Sequence, residues 1–222
     1  MAYIYNFPIS MLKGFLGNSE ECLNNILYFA AYCRYRTTNS ENDIGNTLCV
    51  NFGDIGAALE KGEELYDKYW HDCYPWTGIS SDLFWTFSHK HRSDFDKATL
   101  LAFLAIKSLI GGKPYYKVTN QNVIFKRMAG YKETENYKIP DVLQRFCTRS
   151  RFDAIKMELR ENYSVVFYSQ HVRGMFVSTE LPLEKLAYIA EERKLSARRD
   201  AARQAEAEAG RKARDMLQTG TA

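Results

Sequence analysis

Apolar residues recur at helical spacing along most of the first half of this chain. The spacing predicts helices over about 19–36, from 55 to 70 and over 82–91, and the aromatic opening stretch is interpreted as a strand or an extended arm. The polar segments 37–46 and 71–81 separate these helices, and we interpret them as a loop and a turn. The first half is therefore predicted to be helical.

The second half mixes helical spacing with strand-like alternation. A helix that is apolar nearly all round follows Ser93 and ends at Gly111. A short strand, a helix ending at Gly130, a basic helical stretch after Pro140 and an alternating hairpin come next. In the basic stretch the apolar stripe changes phase near Ser150, which predicts two short helices or one sharply kinked helix. The predicted order is therefore helix, strand, helix, helix, hairpin.

This order over residues 93–179 resembles that of winged helix-turn-helix domains, which occur in transcription regulators and replication initiators. The resemblance covers less than half of the chain and rests on the order of elements. It implies that the third helix, within 140–161, enters the major groove of DNA. It also implies that the hairpin, at 163–178, is a wing that contacts the DNA backbone or the minor groove.

The final segment has a different composition. The apolar residues between Leu183 and Ala190 are suited to docking on the preceding domain, whereas 191–218 is rich in Ala, Arg and Glu with almost no large apolar residue. Such a segment is a solvated helix or a frayed tail. The chain is thus predicted to be α+β and mostly helical. Its three parts are an acidic, aromatic-rich helical domain (1–92), a winged-helix domain (93–180) and a charged helical tail (181–222).

Charge separates the first two parts, although the net charge is only +3. Residues 1–94 hold 7 Lys and Arg against 12 Asp and Glu, whereas residues 95–180 hold 14 against 8. A polyanion would therefore meet the middle of the chain. The candidate DNA contacts are the cationic and polar side chains of the third helix region and the wing tip: Arg145, Arg149, Arg151, Lys156, Arg160, Gln170, His171 and Arg173.

Other chemistries have weaker support in the sequence. It contains no nucleotide-binding or hydrolase motif, so we predict no enzyme activity, no cofactor and no small-molecule substrate. His71, Cys73, His89 and His91 suit zinc by residue type, but their spacing matches no zinc-finger pattern, and we predict no metal site.

The five cysteines are odd in number and none forms a CxxC pair, and the chain has neither a signal-peptide pattern nor a long apolar run. These features predict reduced thiols in a cytoplasmic protein without membrane spans.

Two functions remain open at this stage. The first is non-catalytic binding of double-stranded DNA in transcription regulation or replication. The alternative is an adaptor that binds another protein, or itself, through the winged helix or the aromatic N-terminal domain. Trp70, Trp76 and Trp85 lie close together in the sequence, where they either pack the N-terminal helices together or form a patch that binds a partner.

Overall fold

The computed structural model describes residues 3–48, 52–71, 74–89, 92–135, 137–170 and 174–219. The chain is α+β and mostly helical, as predicted. The first part consists of β1 (Ile4–Pro8), a 3₁₀ helix (Ile9–Leu12), α1 (Ser19–Thr38), α2 (Glu41–Leu48), α3 (Ile55–Tyr69), β2 (Trp76–Ser80) and α4 (Ser81–Ser88). The second part consists of α5 (Asp94–Ile110), β3 (Tyr116–Thr119), α6 (Gln121–Met128), α7 (Asp141–Gln144), α8 (Arg149–Tyr163), β4 (Val166–Tyr168), β5 (Met175–Ser178) and α9 (Leu183–Thr219).

Several helices begin at the side chains that the sequence indicates. Asn18 accepts a hydrogen bond from the Glu21 N–H at the start of α1, and Asp54 does the same for Ala57 at the start of α3. At the start of α5 a complete capping box joins Ser93 and Asp96. Each cap satisfies backbone N–H groups that have no partner within the helix, so these boundaries are encoded locally.

The loop predicted over 37–46 is wrong except at Asn39 and Ser40, because 37–38 end α1 and 41–46 belong to α2. Ile44 and Leu48 lie one helical turn apart, and both are completely buried. The Tyr5 hydroxyl donates a hydrogen bond of 2.6 Å to the Leu48 carbonyl and ties the end of α2 to β1. Burial of these two side chains outweighs the turn preference of the Asn and Gly residues around them.

The turn predicted over 71–81 is also wrong, because it contains the strand β2. This strand pairs antiparallel with β1, and Ile4 is opposite Ser80. Gly78 faces Asn6 across the pair, where an added Cβ would lie 2.6 Å from Asn6 Oδ1. The glycine is required by the close approach of a neighbouring side chain rather than by a turn.

Helix α5 packs against elements on both sides of it in the sequence. One buried cluster runs from Tyr5 in β1 to Val177 in β5 and includes most of the apolar side chains of α5. Thr77 of β2 donates a hydrogen bond of 2.8 Å to the Leu104 carbonyl, and Lys107 donates one of 2.7 Å to the Gly78 carbonyl. Burial lowers the pKa of Lys107. The apolar helix α5 is thus central in the fold.

The three-stranded sheet has the order β3-β5-β4, with all neighbours antiparallel. Side chains alternate between the two faces of this sheet, and each face packs against a different part of the chain. Phe167 and Val177 belong to the main core, whereas Phe176 packs with Leu186 and Ala190 of α9. The predicted hairpin is confirmed, and the first turns of α9 cover its second face.

The C-terminal segment forms one helix of 37 residues, about 55 Å long at 1.5 Å per residue. Leu186 and Ala190 are buried as predicted, but Leu183 is 50% exposed. From Leu195 onward, every described side chain of α9 is exposed. No helix in the described part of the chain combines the length and the apolarity needed to cross a bilayer.

The three tryptophans do not share one environment. Trp85 is half-buried beside Phe84 in α4 and stacks on His89, with 5.5 Å between ring centroids. Trp70 and Trp76 instead contact each other at the surface and are 44% and 40% exposed. Packing between helices therefore accounts for Trp85 but leaves much of the other two rings open to solvent.

Candidate nucleic-acid interface

Helix α8 is held by one buried stripe, which leaves the opposite side in solvent. Phe152, Ile155 and Leu159 are buried, and the Phe152 ring lies 5.6 Å from that of Phe125 in α6. Helix α8 starts at Arg149, one residue before Ser150, where the apolar stripe changes phase. The cap is Thr148, whose hydroxyl accepts a hydrogen bond from the Arg151 N–H.

The region after Pro140 contains two helices, as the phase change predicts. The first, α7, is a single turn, and α8 runs for 15 residues. The Gln121 side chain donates a hydrogen bond of 2.5 Å to the Cys147 carbonyl, which anchors the link between the two helices to α6.

Three of the predicted cations share one face of α8. At about 100° per residue, Arg149, Lys156 and Arg160 fall within about 40° of one another around the helix axis. The Arg149 side chain is 98% exposed, that of Lys156 is 23% exposed, and the Arg160 guanidinium lies 5.7 Å from the Phe167 ring of β4. We call these three residues the cationic face; it runs from the N-terminal end of α8 to β4.

The remaining candidates on these helices lie elsewhere. Arg151 is exposed, but about 200° of rotation separates it from Arg149. Arg145 follows α7 and forms an ion pair of 2.5 Å with Asp94 at the start of α5. The structure therefore does not bring Arg145 and Arg151 onto the cationic face.

The residues predicted to contact DNA at the hairpin tip are only partly among the described residues. Gln170 is exposed just after β4. Together with Arg160 it lines a groove of about 820 Å³ between the end of α8, β4 and the first turn of α9. His171 and Arg173 lie outside the described residues, so their predicted contacts have no structural counterpart here.

Asp153 is a feature of this face that the sequence interpretation missed. It lies between Arg149 and Lys156 on the same side of the helix, with its carboxylate 2.6 Å from Lys156 Nζ and 4.0 Å from Arg149 Nε. The pKa of Asp153 is lowered mainly by the hydrogen bond from Lys156. The spacing of three and four residues is the signal that could have identified these pairs from the sequence.

Other exposed positions on α8 reduce its cationic character further. The helix carries four Lys and Arg, but Asp153, Glu158 and Glu161 oppose them. Met157, between the charged positions, is 58% exposed. The interface is therefore a cationic strip along one side of α8 and not a uniformly positive helix.

The metal candidates do not form a site in the part of the chain that the structure describes. His71 and His89 are exposed, and Cys73 and His91 lie outside the described residues. No group of three or more His, Cys, Asp and Glu residues among the described positions is arranged to hold a metal ion. Cys22, Cys33 and Cys147 are free thiols.

The comparisons with known proteins add no assignment. Neither a protein-family model nor a curated protein nor a solved structure matches this chain.

Proposed function

We propose that residues 93–179 form a winged helix-turn-helix that binds double-stranded DNA, in a protein acting without catalysis in transcription regulation or replication. The proposal is supported by the order α5, β3, α6, α7–α8, β4, β5 and by the pairing of β3 with β5. In domains with this order the third helix enters the major groove, which here corresponds to α8.

The observation that carries the proposal is the cationic face beside the wing. Arg149 stands almost fully exposed at the N-terminal end of α8, where the helix dipole also favours an anion. Lys156 and Arg160 continue the same strip toward β4. Three cations in a line suit successive phosphate oxygens of a DNA strand.

One observation favours a second function. The exposed side of α8 carries three carboxylates and the 58% exposed Met157, and Val142 on α7 is 52% exposed. A surface of mixed charge with exposed apolar side chains is better suited to binding a protein partner than to binding a phosphate backbone. An adaptor that uses this same surface is therefore the alternative.

One titration distinguishes the two proposed functions. Fluorescence anisotropy of a labelled random-sequence duplex is measured against the full chain at several salt concentrations. Three full phosphate contacts predict that log affinity falls with log salt at a slope of at most about 2.7, and the wild-type slope should lie below this because Asp153 competes for Arg149 and Lys156. An absence of salt-dependent binding at low ionic strength would reject the DNA proposal and leave the adaptor function.

A further inference from the structure

A second possible binding site lies in the N-terminal part, away from α8. The C-terminal ends of α1 and α3 and the paired strands β1 and β2 enclose a cleft of about 640 Å³. Its volume is within the range of about 300–1,000 Å³ that is typical of small-ligand sites. Its lining residues are Tyr3, Asn6, Ala30, Cys33, Arg34, Arg36, Thr37, Tyr66, Trp70 and Trp76.

Aromatic rings form the walls of this cleft. Tyr66 and Trp70 are stacked with ring centroids 4.5 Å apart, and Trp76 meets Trp70 nearly at a right angle at 5.2 Å. Trp70 and Trp76 are 44% and 40% exposed, although large aromatic surfaces are usually buried more completely in a protein of this size. The rings thus hold one another in place while leaving surface for a flat ligand to stack on.

The charge of the cleft is opposite to that of its surroundings. Residues 1–94 are acidic overall, yet Arg34 and Arg36 line the cleft and no carboxylate does so among the described residues. The Arg36 guanidinium lies 4.6 Å from the centre of the Tyr66 ring. Burial raises the pKa of Cys33 to about 11, so this thiol stays neutral at physiological pH. The cleft therefore combines stacking surfaces with cationic side chains.

We propose that this cleft binds a nucleotide unit, whose base stacks on Trp70 or Trp76 and whose phosphate is bound by Arg36. Aromatic rings beside cations are the combination that holds single-stranded nucleic acid, because every base has a face that can stack. Asn6 supplies amide groups for the edge of a base. The unit comes either from a free nucleotide or from a single strand, since both offer the same base and phosphate.

This site is independent of the DNA-binding proposal for α8. Full-length protein is titrated with thymidine 5′-monophosphate and, separately, with an oligothymidylate, while tryptophan emission is recorded. Saturable quenching by either probe supports the proposal. Quenching by the monophosphate indicates a free nucleotide as the source, and quenching by the oligomer alone indicates a single strand. The Arg149→Ala variant should show the same quenching as the wild type, even where it loses duplex affinity.

Variants then assign the quenching to the cleft. Loss of the ring on which the base stacks, tested with Trp70→Leu and Trp76→Leu separately, should weaken binding about 5- to 150-fold, the range expected for loss of one base–aromatic stack, as measured by displacement of a labelled oligothymidylate. Arg36→Gln should also weaken it, and because Arg36 is exposed this change should leave the fold intact. Lys68→Gln is the matched control, because it removes one exposed positive charge from α3 outside the cleft.

Three outcomes would overturn the proposal. The first is that neither probe quenches tryptophan emission. The second is that Lys68→Gln weakens binding as much as Arg36→Gln, which would indicate attraction by overall charge only. The third is that a proline-rich peptide saturates the cleft whereas the nucleotide probes do not, which would assign the aromatic walls to a protein partner.

Discussion

Asp153 and Lys156 form an ion pair on the exposed side of α8, with 2.6 Å between Oδ1 and Nζ. The same carboxylate lies 4.0 Å from Arg149 Nε, so a single acidic residue stands between two of the three cations that we assign to DNA. A phosphate that binds either cation must compete with Asp153. If α8 binds DNA as proposed, this arrangement should limit non-specific affinity, and removing the carboxylate tests whether the face is used.

Asp153→Asn is expected to strengthen duplex binding and to steepen its salt dependence. The change frees Lys156 and Arg149 for phosphate, and each added contact can raise the slope by up to about 0.9. The measurement is the anisotropy titration at several salt concentrations. Glu158→Gln is the matched control, because it removes the same charge from α8 about 140° away from Asp153. Equal gains for both variants would show that overall charge, and not this face, controls binding.

Arg149→Ala, Lys156→Ala and Arg160→Ala should each weaken duplex binding and lower the salt slope by up to about 0.9. These side chains lie off the buried stripe of α8, so melting temperatures should stay close to that of the wild type. In the described structure the Glu64 carboxylate on α3 forms an ion pair with exposed Lys61. The Glu64→Lys variant should leave DNA binding unchanged or slightly stronger. Wild-type affinity in all three alanine variants would mean that the DNA-binding surface lies elsewhere.

Gly62→Ala should destabilise the protein, by about 1–3 kcal/mol or more. Gly62 lies where α3 crosses α1, and an added Cβ would overlap the Tyr28 carbonyl oxygen and approach Tyr32 Cβ to 2.7 Å. The two helices would have to separate. Chemical denaturation gives the change in the free energy of unfolding. Gly210→Ala is the control: nothing lies within 4 Å of its added Cβ, so no loss of stability is expected.

Removing the chain after Lys194 should barely change the melting temperature, because every described side chain beyond that point is exposed. Leu186→Ala should instead cost about 2–5 kcal/mol, because Leu186 is completely buried against Phe176 of β5. Thermal melts of the two variants separate the docked from the solvated part of α9. A large fall in melting temperature on truncation would show that the exposed part of the helix stabilises the fold through contacts that the described residues do not make.

Local signals in the sequence were sufficient to predict many of the helices and strands. Ser93 and Asp96 mark the start of α5 because a capping box involves residues only three apart, and the alternation around Phe167 and Phe176 predicts the hairpin by itself. That three cations share one face of α8 could also be predicted from their spacing in the sequence. The Asp153 pairs, at three and four residues, could have been predicted by the same logic.

Only the tertiary structure decided the features that depend on residues far apart in the chain. Segment 41–48 is helical because Ile44 and Leu48 are buried, and β2 is a strand because β1 pairs with it across a separation of about 70 residues. Likewise, Trp70 and Arg36 meet around Tyr66 because α1 and α3 pack closely at Gly62. Periodicity and propensity describe neighbours along the chain, whereas burial and pairing depend on which distant segments come together in space.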